Sequence, residues 1–82
     1  MPPEVLFADQ HSRIVQVGDL TISYSDWGET DDISYGLWRD SWGVDETGFI
    51  WGGVHLGFGV IPGTYRQRMH DDPLAVVMEH LL

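Results

Sequence analysis

The strongest constraint on the fold is a set of runs with a two-residue period, broken by glycine and aspartate. Leu20, Ile22 and Tyr24 alternate with Thr21, Ser23 and Ser25; Ile33, Tyr35 and Leu37 alternate with Ser34, Gly36 and Trp38. Alternation of this kind gives a strand one apolar and one wet face, the pattern of an antiparallel sheet. Residues 13–17 form a β-branched run, and Gly18-Asp19 separates it from Leu20. A two-residue connection starting with glycine specifies a hairpin with a II′-type turn. Residues 49–61 give a longer strand signal, with Ile50, Val54, Leu56, Phe58 and Val60 on one face and Phe49, Trp51 and His55 opposite. That run exceeds the usual strand length, so Gly52-Gly53 is where a bend or bulge is expected.

The flanks are less regular. Residues 5–8 read as an edge strand or packed arm behind Pro2-Pro3, and residues 65–70 fit either a strand or a helical turn. Asp72 is placed as an N-cap with Pro73 at the first helical position. Leu74, Val77, Met78 and Leu81 then follow helical spacing. The expectation is a single α+β domain over residues 1–82: an antiparallel β-meander of about four or five strands, with a C-terminal amphipathic helix packed on one face.

Charge sets the second constraint. The formal net charge is −9, and between Asp19 and Glu46 eight carboxylates meet one cation, Arg39. The same 28 residues hold Trp27, Trp38 and Trp42. A block with net charge −7 cannot be mostly core, because buried carboxylates need partners. This balance disfavours direct contact with nucleic acid or an anionic membrane. With 43% apolar residues the chain is nonetheless too hydrophobic for a disordered acidic tail. It has no cysteine, so disulfides and thiolate metal sites are excluded, and a cytoplasmic location is expected from that together with an N-terminus lacking signal-peptide character. The absence of lysine suits a GC-rich genome, such as that of an actinobacterium or its phage.

No constellation for catalysis, metal or cofactor stands out, so no catalytic residue, metal ligand or cofactor is expected. His11, His55, His70 and His80 lack metal-binding spacing, the loop over residues 26–32 does not fit a calcium-loop pattern, and the glycines of residues 57–63 are not followed by a phosphate-binding helix. Arg66 and Arg68 are expected to pair with the domain's own acids. Trp38 and Trp51 are expected as core anchors, leaving Trp27 and Trp42 as exposed anchors beside carboxylates. The leading expectation is a non-enzymatic acidic interaction module that inhibits or regulates a larger protein through a basic surface of that protein, such as one that holds nucleic acid. Phage inhibitors and immunity proteins share this charge and size. Its candidate partner-binding residues are Asp26, Trp27, Glu29, Asp31, Asp32, Asp40, Trp42, Asp45 and Glu46. One alternative is an accessory subunit in which residues 49–61 form a homodimer or sheet-edge contact. Another is a small-molecule binder using His55, Trp51 and Tyr35 around a cleft.

Overall fold

Five strands follow one another in the computed structural model, which describes residues 2–28 and 31–81. They are β1 (Glu4–Ala8), β2 (Ser12–Val17), β3 (Leu20–Ser25), β4 (Ile33–Val44) and β5 (Ile50–Ile61). Each pairs antiparallel with the next, in the spatial order β1-β2-β3-β4-β5. A 3-10 turn (Gly63–Tyr65) and two helices, α1 (Arg66–Asp71) and α2 (Pro73–His80), close the chain. The fold class is thus the α+β meander that alternation predicts, at the five-strand end of its range. The segment left open over residues 65–70 belongs to the 3-10 turn and α1, so a second short helix precedes the one expected.

Local chemistry explains most of these boundaries. Gly18 has φ +63°, and Asp19 is not in the positive region, so the sign pattern fits the II′ turn expected between β2 and β3. The Asp72 carboxylate accepts the Ala75 amide at 3.4 Å, capping α2 with Pro73 in its first turn.

The helices cover one face of the sheet. Val15, Ile22, Tyr24, Ile33, Tyr35, Leu37 and Ile61 meet Met69, Val76 and Val77 there, and all are buried. Each fully buried aliphatic side chain contributes about 1.5–3 kcal/mol of transfer free energy. Helix α2 turns Val76 inward with Val77, while Met78, expected on that face, is exposed. The opposite face carries no helix, though Ile14 and Thr21 on it are buried. Ser12, Ser25 and Ser34 lie in cross-strand register on it, as do Ile14, Ser23, Gly36 and Phe58.

The β4–β5 hairpin is bent rather than straight. At about 3.3 Å per residue, a 12-residue strand is about 36 Å long, more than the molecule's longest axis of 32 Å. The register shifts near Trp42 and near Leu56, and Asp40 adopts a left-handed φ of 59°. Bulges of this kind sharpen strand twist and redirect side chains. The hairpin tip reaches β1, with Gly48 so close beneath the Phe7 ring that a Cβ there would lie 3.0 Å from it.

Candidate functional site

The nine residues singled out from the sequence fall at the two ends of β4. Asp26, Trp27, Asp31 and Asp32 lie before it; Asp40 and Trp42 lie in its far half; Asp45 and Glu46 lie in the turn that follows. Glu29 lies outside the described residues. The acids therefore form two groups rather than one continuous face.

At the first end the chemistry turns inward. The Asp26 side chain is 12% exposed and lies 3.1 Å from Arg66 Nε and 3.3 Å from His70 Nε2. Its Oδ1 also accepts the Gly28 amide at 2.8 Å. Burial alone would push this carboxyl up, but the Gly28 amide, Arg66 and His70 together outweigh burial and hold it below the usual aspartate value. His70 Nδ1 lies 2.9 Å from the Tyr24 hydroxyl. With neutral His70, its Nε2–H donates to Asp26 and its Nδ1 accepts from Tyr24. Burial raises the Tyr24 hydroxyl above its ordinary value; the Arg13 charge opposes that rise and the Asp26 charge adds to it. The network joins the end of β3 to α1. It leaves Asp26 few acceptor positions for a partner. Trp27 is 62% exposed but stacks on His11 at 3.8 Å. Asp31 and Asp32 are exposed.

At the second end the groups face solvent. Trp42 is 84% exposed at the bulge, with its indole over Gly52, where a Cβ would lie 2.6 Å from the ring. Asp40 is exposed beside Arg39, at 3.4 Å. Asp45 organises the turn: its Oδ1 accepts the Thr47 amide at 2.8 Å, the Thr47 hydroxyl at 2.6 Å and the Phe49 amide at 3.1 Å. Its Oδ2 accepts the Trp51 indole N–H at 3.3 Å. The Thr47 hydroxyl, followed by the Phe49 amide, draws this carboxyl below its ordinary value. Glu46 projects from the tip, and Phe49 packs edge-on against Trp51 at 5.2 Å. Trp51 is 52% exposed, which corrects its expected place in the core. Its strand is the sheet's outer edge, and its indole is tied to Asp45 instead of to core side chains.

Trp38 is partly buried on the open face, over Gly36, and tilts against His55 at 5.0 Å; His55 in turn stacks on Phe58 at 5.8 Å. These rings and the serines border a cleft of about 400 Å³ between the sheet and the hairpin tip. That volume is near the lower limit for a site taking a drug-sized ligand. Of the cleft trio expected from the sequence, His55 lines it, Tyr35 borders it with its ring packed over Gly59, and Trp51 stands elsewhere. The Tyr24–His70–Asp26 network was not anticipated. His70 lies 44 positions from Asp26 and 46 from Tyr24, where helix meets strand, and no local spacing marks such a set.

As expected for the arginines, Arg66 pairs with Asp26 and Arg68 with Glu79 at 2.7 Å. Among the described residues no three of His, Asp and Glu gather as a metal site, and no helix is long and apolar enough to cross a membrane. Comparison with family models, curated proteins and solved structures finds no match to this chain, so function rests on its own geometry.

Proposed function

We propose that this chain is a non-enzymatic acidic interaction module that docks on a basic surface of a larger protein and inhibits or regulates it. The site is the outer half of the β4–β5 hairpin, with Trp42 as anchor and Asp40 and Glu46 as the charges around it. The observation that carries the reading is Trp42, 84% exposed on a bulge whose neighbouring turn is fixed by Asp45. A large ring held in water by ordered backbone loses little entropy on docking, and tryptophan is enriched among the residues that dominate binding energy. The carboxylates steer encounter with a cationic surface and favour partners that normally hold phosphates. At the other end, Asp26 is engaged with Arg66 and His70 and Trp27 is stacked on His11, so that end offers less to a partner.

The test is affinity capture from cells that make this protein, with wild type and a Trp42→Ala/Glu46→Arg variant as baits. Both positions are exposed, so the fold should be retained. Wild type should capture cationic proteins that elute as salt rises, and the variant should lose at least tenfold in affinity for them, about 1.4 kcal/mol. Capture that ignores salt, or that the variant reproduces, would overturn the assignment.

A further inference from the structure

The two edges of this sheet differ in how they are protected. Edge strand β1 has five residues, follows Pro2-Pro3, carries Glu4 and shifts register between Val5 and Phe7. These are familiar devices for keeping other strands off an open edge. Edge strand β5 has 12 residues and contains no proline, lysine, arginine or carboxylate. Its only ionisable side chain, His55, faces Trp38. Phe58 is 79% exposed, Val60 56%, Val54 48% and Leu56 44%. Its irregularities, the register shifts near Trp42 and near Leu56 and the left-handed Gly52 and Gly53, all precede residue 57, which leaves residues 57–61 regularly paired with β4 along their inner side and open along their outer side.

We infer that β5 pairs antiparallel with β5 of a second copy of this chain, joining two meanders into one ten-stranded sheet about a two-fold axis. An antiparallel strand pair is self-complementary, so one surface suffices for both partners. Pairing about Gly59 sets Phe58 of one copy opposite Val60 of the other on the open face. On the helix-covered face the outer positions are Gly57 and Gly59, which put no side chain in the way of an approaching backbone. Charge selects this element: each copy carries −9, and β5 is where two copies meet without placing carboxylates across the contact. Residues 57–61, about 16 Å of strand in a layer about 10 Å thick, offer on the order of 200 Å² per copy. That lies below the standard interfaces, so the expected dimer is weak, forms only toward the upper end of the micromolar range and dissociates on dilution. The contact uses residues other than Trp42, Asp40 and Glu46 and stands apart from docking on a basic partner.

Sedimentation of the full chain from about 5 µM to about 500 µM tests it. The mass should rise from one chain to two. It should rise further as salt screens repulsion between the acidic copies, the opposite of the salt response of a cationic partner. A Phe58→Lys/Val60→Lys variant should stay monomeric throughout with an unchanged circular dichroism spectrum and a cooperative melt, since both side chains are exposed. Trp42→Ala should dimerise as wild type does. The inference is overturned if wild type stays monomeric over the whole range, if its mass grows past two chains, or if the lysine variant associates as wild type does.

Discussion

Replacing Asp26 by asparagine isolates the network that fastens α1 to the sheet. Asparagine keeps the shape and an acceptor for the Gly28 amide but removes the charge facing Arg66 and His70. A hydrogen bond to a charged group contributes about 1.5–3 kcal/mol when its partners are buried. Here Arg66 is 32% and His70 34% exposed, so both recover some hydration when the carboxylate is lost. Discounted for that screening, the combined cost is about 2 kcal/mol. In a domain of 82 residues this lowers Tm by about 8–16 °C. The sign with pH follows from the lowered folded-state pKa of Asp26. A depressed carboxylate stabilises the fold fully above its unfolded value, about 3.9. That contribution is lost as pH falls through the folded value. Thermal melts of wild type and Asp26→Asn should therefore differ most near neutrality and converge as pH falls below that lowered folded value. A Tm difference under about 3 °C at pH 7 would refute the reasoning. So would a difference as large in acid as at neutrality.

Two further outcomes follow from the hairpin and the open face. Gly36→Ala puts a Cβ into the far edge of the Trp38 ring, so the indole must swing away from His55. The expected cost is about 1–2 kcal/mol, with a red-shifted tryptophan emission, and an unchanged melt and spectrum would contradict the packing described. Asp45→Asn should loosen the turn that presents Trp42, read as faster amide exchange at Thr47 and Phe49. In wild type the same loosening should appear as pH falls through the lowered value of the Asp45 carboxyl, because the charged form is the better acceptor. Equal exchange in both proteins would show that Asp45 does not hold the turn.

The capture experiment and the sedimentation experiment probe different parts of one hairpin. Trp42 and Glu46 lie at its bulge and tip, while Phe58 and Val60 lie toward its base, across from Gly36 and Ser34. A dimer through β5 would present two acidic tips on one assembly. A basic partner with two matching sites would then be held by avidity as well as by direct contact.

Several features were legible in the residues alone because they are local. Side-chain alternation in β3 and β4 reports which face is buried, and Gly18-Asp19 reports a turn, since both depend on positions two or three apart. The Asp72-Pro73 start of α2 is local for the same reason. The charge balance likewise required that many carboxylates stay in water. What alternation could not convey is which face of the sheet the helices cover. Val54, Leu56, Phe58 and Val60 look like a core face in the sequence, yet the helix-covered positions of β5 are Gly57, Gly59 and Ile61, and Phe58 and Val60 stand on the opposite face and remain exposed. Trp51 sits near the hairpin tip, where its indole is tied to Asp45. Asp26 resembles any other loop acid until α1 brings Arg66 and His70 to it across 40 residues or more of chain. Burial and ion pairing are properties of the packed assembly, and only the order of the strands and the docking of the helices decided them.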